Sequence, residues 1–355
     1  MNILFIKKHM DRSELELIFF LKDSGVNVWV MTEAQSIGVD EMKLQGIYIQ
    51  PRPYRSKIAP SFICQIRRVI KKHSIQLIHA TDSSSLSNAI WASYLLPVKI
   101  IGYRGTLARV RRLDPSYWLA LLHPRVDKVI CVNQSIYNYM RSFFPDEKLL
   151  LNYKGYDLSW GEEVARLDVD LPPMPERAFV VCYIANTRRR PYKGLEHLVK
   201  AMELVEETDV HLLFIGDYDE EVKILADQGA AASRIHFLGK HPHAASYLKY
   251  SDVFVLPSTR DGLPRSTKEA MAQGVAVITT NIEGPAELVI DGESGIHVKP
   301  GDPAAIANAI KTLYHQPALR RRLGAAGRQR LETHFSSTTF MQKTLNLYHE
   351  LLNSK

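Results

Sequence analysis

Two acidic residues stand eight positions apart in the stretch RDGLPRSTKEAMAQGVAVITT, which runs from Arg260 to Thr280. Gly262 and Pro264 follow the first acid, Asp261, and predict a loop, whereas Glu269 falls in an Ala-rich helix. The N–H groups and the dipole at the start of that helix favour an anion. Asp261 can then accept hydrogen bonds from sugar hydroxyls, and Glu269 can accept two hydroxyls of a ribose. The alternative is an Asp that caps the helix and an ordinary solvated Glu.

A basic loop precedes another predicted helix in the stretch IANTRRRPYKGLEHL. Arg188 and Lys193 lie five residues apart, on either side of a proline. The guanidinium fork of an arginine and the point charge of a lysine together suit a diphosphate. Arg189 and Arg190 are adjacent, so the assignment within the cluster stays open, and a solvated basic loop is the competing interpretation.

These residues follow short apolar runs that predict buried strands, such as NILFIKK, KVICVN, FVVCYIAN, VHLLFIGD and DVFVLPS. The strands alternate with stretches of helical periodicity, which indicates parallel sheets covered on both faces. We therefore predict an α/β protein with two Rossmann-like, doubly wound domains that face a central cleft. The predicted boundaries are a first domain over residues 1–168, a Pro-rich linker over 169–178, a second domain over 179–335 and an end helix over 336–355 that crosses back to the first domain.

The composition is typical of a soluble globular protein, with 46% hydrophobic and 23% charged residues among 355. Three widely spaced cysteines indicate a reducing compartment. The first apolar run is too short for a signal peptide, and no run approaches the roughly 18 apolar residues that span a bilayer. We expect a cytoplasmic protein.

Positive charge is concentrated in the first half of the chain. Residues 1–155 hold 22 Lys and Arg against 12 Asp and Glu, whereas the remainder has a small acidic excess. This asymmetry predicts an anionic partner. Nucleic acid is disfavoured because the basic residues lack the interleaved aromatic residues of a stacking platform.

Taken together, the order of these segments resembles the retaining, nucleotide-sugar-dependent glycosyltransferases of family 4, which have the GT-B architecture. The resemblance is strong over about half of the chain, from Phe179 onward, and KGYD (Lys154–Asp157) is similar to the end of that family's first domain. It implies a transfer from a nucleotide-sugar, with a UDP-sugar favoured, to a glycan or lipid-linked acceptor in bacterial lipopolysaccharide or envelope polysaccharide synthesis.

The resemblance also implies roles for individual residues. Arg188 and Lys193 would bind the donor diphosphate, Asp261 would contact the donor sugar, and Glu269 would hold the ribose. The nucleotide-sugar is a substrate, and no sequence pattern requires a metal or another cofactor. Further donor-side residues would be Gly262, Leu263, Pro264 and Arg265 around the sugar and phosphate, and Leu238, Gly239 and His241, within the stretch from Leu238 to His241, near the base.

The sequence departs from the family pattern in three places. The first acid is Asp261 rather than a glutamate, which is one methylene longer. The glycine-rich loop after the first strand is replaced by KKHMDRSE, and GYRGT places Arg104 where the family's histidine often lies. Arg104 is therefore a catalytic candidate, with His9 and His79 as candidates on the acceptor side.

A basic and aromatic segment, from Tyr103 to Leu122, suggests contact with an acidic membrane surface, and the alternative is a solvated loop with an ordinary core helix. It contains Trp118 and several leucines together with Arg104, Arg109, Arg111 and Arg112, so a peripheral position at the inner face of the cell membrane is our expectation. Two other functions stay open at this level: a GT-B nucleotide-sugar epimerase, and a non-catalytic nucleotide-sugar-binding partner of another transferase.

Overall fold

The chain forms two compact units in a computed structural model that describes residues 1–106 and 110–353. The first unit comprises residues 1–155 together with the segment that begins at Ser337, and the second unit comprises residues 156–336. Each unit contains one parallel β-sheet, as the sequence predicts.

Within the described residues, the sheet of the first unit has seven strands in the order β3-β2-β1-β4-β5-β6-β7. The strands are β1 Asn2–Ile6, β2 Asn27–Met31, β3 Tyr48–Ile49, β4 Leu77–Ala80, β5 Lys99–Arg104, β6 Lys128–Cys131 and β7 Leu149–Leu151. The helices between them are α1 Arg12–Asp23, α2 Val39–Leu44, α3 Pro60–Lys72, α4 Ser83–Ala92, α5 Pro115–Trp118 and α6 Gln134–Met140.

The second unit repeats this plan with six described strands in the order β10-β9-β8-β11-β12-β13. The strands are β8 Phe179–Ile184, β9 Val210–Ile215, β10 Ile235–Phe237, β11 Val253–Leu256, β12 Ala276–Thr280 and β13 Ile296–Val298. The helices are α7 Leu158–Ala165, α8 Leu195–Glu203, α9 Glu220–Asp227, α10 Arg265–Ala272, α11 Pro285–Leu288, α12 Pro303–His315 and α13 Pro317–His334. Counted from β8, this is the 3-2-1-4-5-6 order of a doubly wound nucleotide-binding fold.

The central strands are apolar along most of their length because helices cover both faces of each sheet. Four of the five residues of β1 and all six residues of β9 are buried. Helix α1 begins with a reciprocal capping box, in which Asp11 accepts the N–H of Glu14 and Glu14 accepts the N–H of Asp11. Sequence periodicity and local capping therefore agree about where these elements form.

The final helix, α14 (Ser337–Asn353), packs in the first unit against α1. Phe340 and Tyr348 join the core there. Asn152, which is buried, donates hydrogen bonds to the carbonyl of Phe340 at 3.1 Å and to the hydroxyl of Thr344 at 3.0 Å. Buried apolar area and satisfied polar groups both stabilise this helix against the sheet.

The first unit ends at Gly155, earlier than the boundary at residue 168 that the sequence predicts. Helix α7 belongs to the second unit because Trp160 is buried there and Gly161 lies against Ala272 of α10. A Cβ on Gly161 would come within 3.1 Å of the Ala272 side chain. The Pro-rich passage over residues 169–178 thus lies inside the second unit, ahead of β8.

One arginine organises the turn that follows α8. A helix end leaves backbone carbonyls without hydrogen-bond donors. The guanidinium of this arginine donates to carbonyls at the end of α8 and in the segment that follows it. Arg234 donates hydrogen bonds of 3.0 to 3.3 Å to the carbonyl oxygens of Met202, Val205, Glu207 and Val210.

We predict that Arg234→Ala lowers the free energy of unfolding by about 2–3 kcal/mol, since several carbonyls lose a charge-assisted partner. Arg234→Lys keeps the charge but not the fork, so it should recover only a minor part of that loss. Urea denaturation followed by circular dichroism measures the change, with Arg321→Ala, an exposed arginine of α13, as the control. Equal stability of the Arg234→Ala and control variants would contradict the assignment.

Candidate functional site

The strand order in the sheet of the second unit reverses between β8 and β11, and this position is the switch point of the sheet. Strands β9 and β10 lie on one side of this point, and β12 and β13 lie on the other. Loops that leave neighbouring strands in opposite directions open a crevice at the carboxyl edge of a parallel sheet, where such folds bind ligands. The loop after β8 carries Arg188 and Lys193, and the loop after β11 carries Asp261.

These two loops are held close together by backbone contacts. The N–H of Thr259 donates to the carbonyl of Tyr192 at 2.7 Å. Gly194 has φ +76°, and a Cβ at this position would lie 2.0 Å from the carbonyl oxygen of Pro257. Only glycine permits both the left-handed conformation and this approach.

Lys193 and Asp261 form an ion pair between the loops. The Nζ atom of Lys193 lies 2.7 Å from Oδ2 of Asp261, and the side chains are 19% and 13% exposed, respectively. The other oxygen of Asp261 accepts the N–H of Gly262 at 2.9 Å. Buried Tyr183, the penultimate residue of strand β8, donates its hydroxyl to the carbonyl of Lys193 at 2.6 Å. Each member of the ion pair thus has a second hydrogen bond that fixes its position: Lys193 through its backbone carbonyl and Asp261 through its other carboxylate oxygen.

Arg188 lies on the same loop as Lys193, with an exposed side chain. Its N–H donates to the carbonyl of Asp217 at 3.2 Å. A hydrogen bond from Lys240 and, more weakly, the charge of Arg188 lower the pKa of the Asp217 carboxyl. The guanidinium is thus near the end of β9 and open to an incoming anion.

Glu269 lies on α10, the helix that follows the Asp261 loop. Arg265 donates from Nε to Oε1 of Glu269 at 2.8 Å, and the Glu269 side chain is only 12% exposed. Burial raises the pKa of this carboxyl, although the charge of Arg265 opposes the shift. A partly desolvated carboxylate of this kind binds hydroxyl donors more strongly than a solvated one does.

The loop between Asp261 and α10 carries the other predicted donor residues. The N–H of Gly262 is already donated to Asp261, and the carbonyl of Gly262 would be 1.5 Å from a Cβ on Gly284. Pro264, which is buried, directly precedes Arg265, the first residue of α10. Leu263, which lies between Gly262 and Pro264, is partly buried. Gly284, with φ +90°, is thus a second glycine that the close approach of two loops requires.

A cavity of about 360 Å³ opens at the carboxyl ends of β8 and β9. Its volume is within the range of small-molecule sites. Of the predicted base-side stretch, His241 lines the cavity together with Lys240, whereas Leu238 and Gly239 hydrogen-bond to β9 and to Gly216. The sequence did not indicate Asn186, which also lines the cavity and accepts the N–H of Asp217 at 3.1 Å.

The acceptor-side candidates of the first unit are not equivalent. His79 is only 3% exposed, and its Nδ1 lies 2.6 Å from the hydroxyl of Tyr348. Burial lowers its pKa to about 3, so the ring is neutral within the core and was wrongly expected to face an acceptor. His9 has a 63% exposed side chain beside Glu33, and Arg104 ends β5 at the carboxyl edge of the sheet.

A network of charges, which the sequence did not predict, occupies the end of β1, where the family pattern has a glycine-rich loop. Lys7 lies 2.5 Å from Glu14, and Lys154 contacts both Asp11 and, at 3.2 Å, Glu14. Burial alone would lower the pKa of Lys154, but Tyr103, Glu14 and Asp11 outweigh it and raise the pKa. These two lysines are therefore neutralised internally and are not exposed anion-binding cations.

The predicted membrane-facing segment lies partly outside the described residues, because Arg109 falls there. Trp118 is half-exposed and donates from its indole N–H to the carbonyl of Arg112 at 2.7 Å, and Arg112 also contacts Phe143. Leu113 is 98% exposed, and Arg111 is exposed beside it. Among residues 1–106 and 110–353, no helix combines the length and apolar character needed to cross a bilayer.

Within the described parts of the chain, no group of three or more His, Cys, Asp or Glu side chains is arranged to hold a metal ion.

Curated relatives with similar sequences are glycosyltransferases by name. The lipopolysaccharide core biosynthesis glycosyltransferase LpsD of Rhizobium meliloti is 32% identical over 52% of each chain. The capsular polysaccharide biosynthesis glycosyltransferase CapM of Staphylococcus aureus is 32% identical over 49% of this chain and 47% of its own. The chain thus spans about half the length of the curated relatives that it matches.

Solved structures extend the likeness to the whole fold. The crystal structure of Anabaena Alr3699/HepE in complex with UDP superposes with a TM-score of 0.81 at 20% identity, over 99% of this chain and 100% of that one. Two family models match successive parts of the sequence: Glycosyltransferase Family 4 over residues 11–160 and Glycosyl transferases group 1 over residues 172–330. With both halves of the architecture matched in order, the chain belongs to the family 4 (group 1) glycosyltransferases and has the GT-B fold.

Proposed function

We propose that this protein is a retaining glycosyltransferase that moves a sugar from a nucleotide-sugar, with a UDP-sugar favoured, to a glycan or glycolipid acceptor. The observation that carries the proposal is the Lys193–Asp261 pair at the point where the second sheet changes direction. Arg188 extends from the same loop as Lys193, and Glu269 lies on the helix after Asp261. This arrangement offers cations for a diphosphate and carboxylates for the sugar and ribose beside it.

The relatives support the class of reaction and its setting. LpsD and CapM are named for lipopolysaccharide core and capsular polysaccharide synthesis, and the HepE structure contains UDP. We therefore place the proposed activity in bacterial envelope polysaccharide assembly. The transferase names also favour transfer over an epimerase or a non-catalytic partner.

Donor binding would draw on residues of the second unit alone. Arg188 and Lys193 would bind the diphosphate, Glu269 would accept the ribose hydroxyls, and the cavity beside His241 and Lys240 would take the base. Lys193 is paired with Asp261 at 2.7 Å in this structure. A diphosphate, which carries more negative charge than one carboxylate, would draw the ammonium toward itself and free one Asp261 oxygen for a sugar hydroxyl.

The transfer breaks the bond between the anomeric carbon and the β-phosphate oxygen and forms a bond from that carbon to an acceptor hydroxyl oxygen. Negative charge builds on the departing diphosphate, and Arg188 and Lys193 would stabilise it where it develops. The acceptor attacks from the same face, so the departing phosphate oxygen can take the hydroxyl proton and the configuration is retained. We propose that Arg188 and Lys193 neutralise the leaving group and that the reaction does not require a metal ion for this.

On the acceptor side we propose an anionic or membrane-bound glycan. The first 155 residues carry 22 basic and 12 acidic residues. Lys7 and Lys154 are already paired with acids, so the exposed Arg111 is better placed than either lysine to meet an acidic surface. Arg104 and His9, which has Glu33 beside it, would face the acceptor.

A donor screen tests the function directly. We expect UDP-sugars to raise the melting temperature more than GDP- or ADP-sugars do, because bound ligand stabilises the folded state. With the best donor and an envelope glycan acceptor, the product should carry the sugar with its anomeric configuration unchanged. If no nucleotide-sugar shifts the melting temperature, or if the donor is only epimerised without transfer, the proposal fails.

Arg188→Ala and Lys193→Ala should each lower kcat by about 100-fold, because each removes a charge that stabilises the leaving diphosphate. The measurement is steady-state turnover with saturating donor, alongside circular dichroism to verify folding. Arg321→Ala removes an exposed arginine of the same unit and serves as the matched control. Wild-type turnover in a folded Lys193→Ala or Arg188→Ala protein would exclude that residue from the proposed role.

Vesicle binding tests the membrane part of the proposal separately. The exposed Arg111 and Leu113 should favour anionic vesicles, with about 1 kcal/mol from each basic residue near the surface. Cosedimentation with phosphatidylglycerol vesicles should exceed that with phosphatidylcholine vesicles, and Arg111→Glu should weaken it more than Arg321→Glu does. Binding that is independent of lipid charge would remove the membrane association and leave the transferase proposal standing.

A further inference from the structure

The loop that carries Arg188 contains a backbone conformation that side chains rarely adopt. Arg189 has φ +57°, in the left-handed region, although it has a Cβ and is neither Asn nor Asp. This conformation is unfavourable for such a residue and persists only where surrounding contacts maintain it. Strain of this kind next to a diphosphate-binding residue calls for the group that sustains it.

Two contacts sustain it: the turn hydrogen bond from the N–H of Arg190 to the carbonyl of Thr187 at 2.7 Å, and a contact with Asp219 on the neighbouring loop. The N–H of Arg189 donates to both carboxylate oxygens of Asp219, at 3.0 and 2.8 Å. Asp219 is at the N-cap position of α9, where an aspartate usually accepts the N–H groups of its own helix. Its side chain makes no such cap. The carboxylate is therefore directed away from its helix and toward the strained residue on the neighbouring loop.

The residues just before Arg189 are fixed to the same neighbouring loop. The carbonyl of Asp217 accepts the N–H of Thr187 at 2.6 Å, the hydroxyl of Thr187 at 2.9 Å and the N–H of Arg188 at 3.2 Å. Thr187 is itself buried. Thr187 and Arg188 are thus bonded to Asp217, and Arg189 to Asp219, between β9 and α9. The backbone is therefore held at Arg188 itself and on both sides of it.

We propose that Asp219 is a positioning residue for the donor diphosphate, which holds Arg189 in the left-handed conformation and thereby directs Arg188 toward the anion. The proposal rests on the function proposed above. Without the carboxylate, Arg189 relaxes to an ordinary backbone conformation and the adjoining peptide of Arg188 turns with it. The guanidinium then contacts the diphosphate less well. The lost contact costs most in the transition state, when the negative charge on the leaving diphosphate develops.

The first test compares Asp219→Ala with a matched cap variant. Asp219→Ala should weaken UDP binding about tenfold and lower kcat more than it raises KM, as expected for a misdirected charge-assisted contact. Asp302 caps α12 by accepting the N–H of Ala305 at 3.0 Å. Asp302→Ala should reduce stability but leave the UDP affinity, kcat and KM unchanged.

The second test separates backbone strain from side-chain charge. In the Asp219→Ala background, Arg189→Gly and Arg189→Ala remove the same guanidinium, but only glycine adopts φ near +57° without strain. The Gly double variant should bind UDP several-fold more tightly than the Ala double variant. Equal affinities of the two double variants would overturn the proposal. If Asp219→Ala does not fold, the same pair is made on Asp219→Asn, which keeps one acceptor oxygen and should retain part of the affinity.

The outcomes distinguish this proposal from the donor-site assignment beneath it. Loss of UDP affinity in Arg188→Ala together with wild-type affinity and kinetics in Asp219→Ala would reject the positioning role alone. Unchanged UDP affinity in Arg188→Ala would reject both, because there would be no contact for Asp219 to direct.

Discussion

The ion pair between Lys193 and Asp261 is the interaction on which the proposed donor site depends. Two loops converge at the switch point of the second sheet, and this 2.7 Å contact joins them with little exposure to solvent. A partly buried ammonium is costly without a counter-charge. Asp261 supplies that charge in this structure, and in our proposal the substrate diphosphate would supply it when bound. The same pair therefore stabilises the two loops and holds the Lys193 ammonium where, in our proposal, it binds the diphosphate.

The two units use similar parallel sheets in opposite ways at their carboxyl edges. In the second unit Arg188 is exposed, and a cavity of about 360 Å³ opens at the ends of β8 and β9. In the first unit Lys7 and Lys154 are neutralised by Glu14 and Asp11, and they stabilise the end of β1. A net positive balance in the first half of the chain is consequently a poor guide to which cations can meet a ligand. The exposed arginines are the ones that remain for that role.

The sequence predicted the fold class, because short buried strands that alternate with helices form parallel sheets. It also offered Lys193 and Asp261 as donor-site candidates, but not the direct ion pair between them. It could not predict what depends on contacts between distant residues. His79 is sequestered by Tyr348, which is 269 positions away. Asp219 was not singled out in the sequence, and its bond to the backbone of Arg189, 30 positions away, is visible only in the structure. The Pro-rich passage suggested a linker, but the burial of Trp160 moves the boundary to Gly155.

The calorimetric affinity of UDP relative to uridine measures binding through the diphosphate, since the two ligands differ only in that group. We expect the wild-type protein to bind UDP at least about 100-fold more tightly than uridine, given the strength of charge-assisted contacts. In the Arg188→Ala/Lys193→Ala double variant this ratio should fall toward one while uridine affinity stays the same. A ratio that is unchanged in the double variant would show that the diphosphate is bound elsewhere.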